Sequence, residues 1–290
     1  MKKLSIFLFS IILLVSCNRP EGLNPRASGY IHIDDAKIYY EVFGQGEPIL
    51  LIHAGITDSR MWDFQVRDLA KEFMVVRFDQ RGFGKSTLPA SSYNAVRDII
   101  TLMDSLQLSA AHVAGICLGA LQATDMAIEY PDRVKSLIIS GTGIPGWPEQ
   151  EEVIEKYIEF TNYVNENGPD SAVKKMITDP FWNHSLPNSM YPEARELFEH
   201  ILYENRQSFM VNWQLRELPM GLPERLGEIE CPVLLFRPEF EIPNLVPIAD
   251  TIAAKVPQIE IHEMKGVYHL LNMEKPEEFN SKIKDFIRSL

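Results

Sequence analysis

Five short, unbroken apolar runs, PILLIH, MVVRFD, AAHVAG, VKSLIIS and PVLLFRP, constrain this chain more than any other feature. A strand that alternates apolar and polar residues can keep one face in water. An unbroken run must be covered on both faces, which is the situation of a parallel strand sandwiched between helices. Each run is followed by a loop and, in most cases, by a segment with helical spacing, so the implied architecture is α/β, a doubly wound and mostly parallel sheet. Ahead of the first run, YIHIDDAKIYYEVFG alternates around Asp34-Asp35 and is predicted to be an antiparallel hairpin. Between Ser140 and Cys231 the strand texture gives way to segments such as EEVIEKYIEFTNYV with helical periodicity, read as a helical cap inserted into the core. The alternation resumes with PVLLFRP, a helix near Asn244 to Lys255, the strand QIEIHEM and a final helix from Pro276. The expected organisation is a core of 29–140 and 231–290 with a cap at 141–230.

The 290 residues, 46% of them hydrophobic, suffice for one sizeable core. A formal charge of −12 argues against a nucleic-acid partner, which needs clustered Lys and Arg against the phosphates. The opening MKKLSIFLFSIILLVSC has a basic start and an apolar stretch too short for a comfortable membrane span, the pattern of a secretory signal. Leu14-Val15-Ser16-Cys17 resembles a bacterial lipobox. That resemblance implies a signal peptide at 1–16, a lipid on Cys17, a polar tether over 17–28 and a membrane-anchored protein of the bacterial cell envelope, periplasmic or at the cell surface. An uncleaved anchor or an ordinary signal with an incidental cysteine is the alternative. Of the other two cysteines, Cys231 in IECPVLLF reads as a small packed hydrophobe, and no disulfide framework is implied.

Cys117 is different, because it stands between glycines in VAGICLGALQA, after an apolar run and before a helical pattern. A nucleophile presented by a sheet sits at a strand-to-helix turn tight enough to strain its own backbone, and the residues two positions either side must then be tiny. Gly115 and Gly119 meet that demand. The following helix would point its N-terminus at the sulfur and favour thiolate.

With GICLG in the place of a Gly-x-Ser-x-Gly elbow, the chain from about Gly29 to Leu290 resembles the α/β-hydrolase superfamily. LLIHAGITDSRMWDFQ is similar to that family's oxyanion loop after the third strand, RFDQRGFGKS to the turn after the fourth, and GVYHLLNMEKPEEF to its histidine loop and final helix. Cysteine in place of serine is a departure shared with dienelactone-hydrolase-like members. The resemblance implies a triad in the order nucleophile, acid, base, with Cys117 followed by an acid after PVLLF and by His269. RPEFEIPN offers Glu239 and Glu241, of which Glu241, before an apolar residue and proline, is the better match to the family pattern. The resemblance also places the oxyanion hole at the amides of Gly55 and Leu118. It implies a hydrolase of small esters, lactones or thioesters working through an acyl-thioenzyme, with no cofactor.

Other features have blander readings. GTGIPG, Gly141 to Gly146, has dinucleotide-fingerprint spacing, but its prolines break the helix that such a site requires. GFGKS lacks the first glycine of a phosphate loop, and Asp79 and Arg81 are expected to fix a turn. His53 reads as a structural turn residue, and the remaining histidines show no paired ligand spacing, so no metal is expected. Trp62, Trp182 and Trp213 are candidates to line an apolar pocket, with packing as the alternative. Two further functions remain open on sequence: a non-catalytic small-ligand binder on the same scaffold, and an acyltransferase using the same covalent intermediate.

Overall fold

The computed structural model describes residues 23–145, 147–148, 151–217 and 222–290, with backbone only at Trp213 and Leu222. The expected signal peptide and the proposed lipidation site, Cys17, lie outside these residues. Eight strands run in chain order as β1 (Ala27–Ile33), β2 (Ala36–Gly44), β3 (Pro48–Ile52), β4 (Met74–Phe78), β5 (Ala111–Ile116), β6 (Val134–Ser140), β7 (Val233–Phe240) and β8 (Ile259–Tyr268). They form one sheet in the order β1-β2-β4-β3-β5-β6-β7-β8. β1 and β2 are the antiparallel hairpin turning at Asp34-Asp35, β2 meets β4 antiparallel, and every pairing from β4 to β8 is parallel. The sheet begins slightly earlier than the tether reading allowed. Ala27 and Ser28 pair with Val42 and Glu41, and Leu23 is already buried. The apolar tail of β2 gives those residues a ladder to join.

The helices are α1 (Asp63–Leu69), α2 (Ala95–Ser105), α3 (Leu118–Glu129), α4 (Glu151–Asn167), α5 (Pro169–Thr178), α6 (Pro192–Glu204), α7 (Leu222–Arg225), α8 (Val246–Lys255), α9 (Leu271–Glu274) and α10 (Pro276–Arg288). α1 and α10 cover one face of the sheet through Val66, Leu69, Phe279 and Ile283. α2, α3 and α8 cover the other through Ile99, Ala123 and Ile252. The five runs are therefore buried on both sides, and β5 is buried at all six positions. Between β6 and β7 the described chain is helical, and α4, α5 and α6 pack on the same core cluster as α1 and α10. Ligands of open α/β sheets bind beyond the C-terminal ends of the strands, and here that edge carries the loops after β3, β5, β6, β7 and β8.

Candidate active site

Cys117 follows β5 directly and caps α3 with φ +56° and ψ −117°, a conformation that only a sharp, well-supported turn sustains. Its amide donates to the Ser140 carbonyl at 3.0 Å, tying the turn to β6. The flanking glycines are dictated by space. A Cβ on Gly115 would lie 2.3 Å from the Gly119 carbonyl oxygen, and one on Gly119 would lie 2.1 Å from that of Ile52. The elbow spacing seen in the sequence is thus a steric requirement of strand, turn and helix crossing at one point.

His269 is the first residue beyond β8, and its amide donates to the His184 carbonyl of the insertion at 3.2 Å. Its Nδ1 lies 2.7 Å from Oε1 of Glu241, and both side chains are buried. Nε2 is buried and has no hydrogen-bond partner, and the ring interacts with Cys117. Glu241 is itself aligned by the Ile242 amide, which donates to Oε1 at 2.8 Å. Glu239 takes another part: its carboxylate accepts from the Gly266 amide at 2.7 Å, outside the site. Of the two carboxylates left open on sequence, the structure brings Glu241 to the imidazole.

The electrostatics follow from these contacts. Burial alone would push the Cys117 thiol up, but His269 beside it and hydrogen bonds from the Leu118 and Gly55 amides outweigh burial and hold it below its ordinary value. Burial alone would strip the proton from His269, yet Glu241 and then the sulfur overcome it and raise the imidazole well above its ordinary value. Both shifts run in the direction that favours sharing the proton toward the imidazole, leaving the sulfur more thiolate-like than a free thiol. The same two amides that reach the sulfur are those expected to receive an oxyanion. Gly55 and Leu118 are neighbours, since a Cβ on Gly55 would lie 3.9 Å from the Leu118 side chain. Next to Gly55, the β-branched Ile56 holds φ +58°, a second strained position in the same loop.

Two residues of this site were not read from the sequence as such. Gly141, in the GTGIPG stretch, has φ +60°, and a Cβ there would lie 2.3 Å from His269 Cε1 and 3.2 Å from Glu241 Oε2. It is the floor on which the imidazole and its carboxylate rest. A glycine directly after the strand that neighbours the elbow was the available signal. Glu274 accepts from the Tyr268 amide at 3.0 Å and from the Asn188 amide at 2.8 Å, fastening the histidine loop to the insertion.

His53, Asp79 and Arg81 have structural surroundings. Asp79 accepts from the Ser59 amide at 3.0 Å and the Lys85 amide at 2.8 Å, and Arg81 pairs with Asp98 at 2.7 Å and Asp35 at 2.9 Å. A cavity of about 560 Å³ opens over Cys117, lined by Gly55, His269 and residues of the insertion, Trp182 among them. Trp62 is not part of its wall. It is fully buried against Phe279 in the seam between α1 and α10, where a large apolar ring is needed to fill the layer. The side chain of Trp213 lies outside what is described. A second cavity of about 610 Å³ is lined by Glu41, Asp63 and Arg77, which pair with one another, with Arg77 2.7 Å from Glu41 and 2.5 Å from Asp63.

A family model described as the alpha/beta hydrolase fold matches residues 47–164. The structure resembles a thermophilic esterase from Thermogutta terrifontis with a TM-score of 0.77 at 23% identity, covering 91% of this chain and 98% of that one. It resembles the enol-lactonase from Burkholderia xenovorans LB400 with a TM-score of 0.74 at 20% identity, covering 90% and 100%. This chain has the α/β-hydrolase fold. In sequence, it is 27% identical to a protein of Azorhizobium caulinodans provisionally named carbamate hydrolase RutD, over 89% of this chain and 97% of the relative. On this fold the strand-to-helix turn GICLG carries sulfur where the α/β-hydrolase elbow pattern carries a hydroxyl.

Proposed function

We propose that the protein hydrolyses small esters, lactones or thioesters through Cys117, His269 and Glu241. The observation that carries this reading is the continuous chain of contacts from Glu241 through the His269 ring to a sulfur that also receives the Gly55 and Leu118 amides. The names of the similar proteins, a carbamate hydrolase, an esterase and an enol-lactonase, all denote attack of water on a carbonyl carbon and support the same class.

In this mechanism the Cys117 thiolate adds to the carbonyl carbon and the oxygen takes the charge toward the Gly55 and Leu118 amides. The tetrahedral adduct collapses by breaking the bond to the alkoxide or thiolate leaving group, which receives the proton from His269 Nε2. The neutral imidazole then takes a proton from water as the water oxygen attacks the thioester carbon, and collapse of that second adduct returns the thiolate and releases the acid. Glu241 holds the ring orientation and stabilises the imidazolium throughout. Thiolate is a better leaving group than an amine, so an adduct with an amide substrate reverts, which favours ester-type bonds.

The test is a time course with p-nitrophenyl acetate on the native protein and on Cys117→Ala and His269→Ala, with mass spectrometry of the intact chain. The expected result is a transient acetyl adduct on Cys117 and loss of turnover in both variants. Native turnover with no adduct, or turnover that survives Cys117→Ala, would sink the proposal. Product partitioning to added alcohol would reassign the protein as an acyltransferase, and binding without turnover would leave only a ligand carrier. For the leader, we propose lipidation of Cys17 and envelope anchoring. Metabolic labelling with palmitate that disappears in Cys17→Ala is the expected outcome.

A further inference from the structure

Away from Cys117 and His269, the wall of the cavity is mostly apolar and carries no charged side chain among the described residues. Phe160, Val164, Met176, Trp182 and Phe198 are buried along it, and among the described residues no lysine, arginine, aspartate or glutamate lines it. Away from the catalytic pair the cavity therefore offers a carboxylate no cation, and an anion there would give up its water for neutral partners at best. Apart from His269, one polar side chain on this lining is fully buried without a partner; Asn165, Ser185 and Asn212 also line the cavity but are more exposed. Ser208, on the turn Arg206–Met210, is 2% exposed, lines the cavity, and its hydroxyl has no hydrogen-bond partner. Its backbone is satisfied independently, with the amide donating to Asn205 at 2.7 Å and the carbonyl accepting from Val211 at 3.1 Å. Thr161, at the mouth, differs because its hydroxyl is already spent on the Tyr157 carbonyl at 2.8 Å. Buried hydroxyls without partners are uncommon, and one that faces a cavity is free to meet a ligand.

Resting on the hydrolase reading above, we infer that the substrate is an uncharged ester with an apolar chain that bears one hydrogen-bond acceptor, and that Ser208 donates to that acceptor. Anionic acyl chains are excluded by the same wall. Ser208 is a specificity residue, because a partner for its hydroxyl exists only in substrates that carry the acceptor.

Three esters of matched length read this on the full chain: p-nitrophenyl hexanoate, methyl p-nitrophenyl adipate and the mono-p-nitrophenyl ester of adipic acid. The neutral diester is expected to exceed the monoanion in kcat/KM by about 100-fold, the cost of stranding a charge in an apolar site. In Ser208→Ala the ratio of kcat/KM for the diester to that for the hexanoate should fall by about 5-fold, mainly through KM, as one hydrogen bond to a neutral acceptor predicts. Ser208→Thr should restore the ratio. Equal turnover of monoanion and diester, or a Ser208→Ala effect equal on diester and hexanoate, would overturn the inference while leaving the hydrolase reading intact. If no ester is hydrolysed, that reading fails and calorimetry on Cys117→Ala decides this one: tighter binding of dimethyl than of monomethyl adipate sustains it, and equal binding sinks it.

Discussion

His53 and His269 have the same side chain, equal burial and the same origin, one residue beyond the end of a parallel strand, yet they titrate in opposite directions. His53 Nδ1 faces the Ala54 carbonyl at 2.7 Å, and its Nε2 accepts the Gln80 amide at 3.0 Å. One nitrogen must carry hydrogen and the other must not, so the neutral ring is fully satisfied and a second proton would displace a bond. Burial accordingly lowers its pKa to about 4. His269 has a carboxylate on Nδ1 and interacts with the Cys117 sulfur, two acceptors, and only the cation satisfies both. What separates His53 from the histidine proposed as catalytic is the identity of two neighbours.

The strongest way to break that contrast is to remove the carboxylate. Glu241→Gln should lower kcat by about 10³- to 10⁴-fold, the scale seen when an orienting acid is neutralised in a hydrolase triad. It should also move the rate profile of iodoacetamide alkylation at Cys117 toward higher pH, because the imidazolium that stabilises the thiolate is lost. An unchanged alkylation profile would mean that His269 does not need Glu241 to hold its proton.

Gly141→Ala attacks the same ring from below. The left-handed φ and the 2.3 Å approach to His269 Cε1 leave no place for a methyl group, so the imidazole must shift. A loss of about 100-fold in kcat, with stability lowered by about 1–3 kcal/mol in urea melts, is expected from a displacement of roughly 1 Å. Full activity in this variant would show that the imidazole has a second working position.

The two histidines also impose opposite pH dependence on folding. The unfolded chain protonates His53 near 6.5 and the folded chain only near 4, so stability falls as pH drops through that window and then levels off, by roughly 3 kcal/mol. For His269 the raised value means the opposite: its contribution is full below the unfolded imidazole value and is lost as pH rises through the folded one. The depressed Cys117 thiol contributes above its unfolded value and loses that contribution as pH falls through the folded one, so the pair is held at intermediate pH. In His53→Gln the difference in urea-melt stability between pH 7 and pH 4 should shrink by about 3 kcal/mol. If the difference persists, other buried groups account for acid sensitivity, His112 being a candidate because burial holds it below its ordinary value; Asp79, raised to about 6 by burial and then Asp58, works in the opposite direction.

Much of this site was legible because its geometry leaves the sequence few options. Only tiny residues fit at Gly115 and Gly119, and an unbroken apolar run cannot hide except between two helix layers. Gly141 sits in a stretch with the spacing of a nucleotide fingerprint, and nothing local says that a glycine after β6 lies under a ring arriving from beyond β8. Ser208 lies in a short turn of the insertion where no periodicity marks an inward side chain. For Trp62 a pocket wall and packing stand as alternatives on sequence, and the structure has it filling the α1–α10 seam, a packing relation between segments more than two hundred residues apart.

The choice between Glu239 and Glu241 sharpens the comparison at its finest grain. Glu239 is near the end of β7 and Glu241 is the first residue beyond it, two positions on, where simple alternation would send them the same way. The ladder between β7 and β8 slips between Pro238 and Phe240, so that Pro238 faces Met264 while Phe240 faces Tyr268. The extra residues are on β8, and β7 ends at Phe240, so Glu241 lies outside the ladder and need not follow its alternation. Glu241 turns in to His269, and Glu239 stays out to cap the Gly266 amide. Glu239→Gln keeps an acceptor for that amide and touches no part of the site, so kcat/KM should stay within about twofold and stability within about 0.5 kcal/mol, as for other surface substitutions. A loss approaching that of Glu241→Gln would mean that the bulge can slide and that either carboxylate can serve His269, removing the feature that sets this histidine apart from His53.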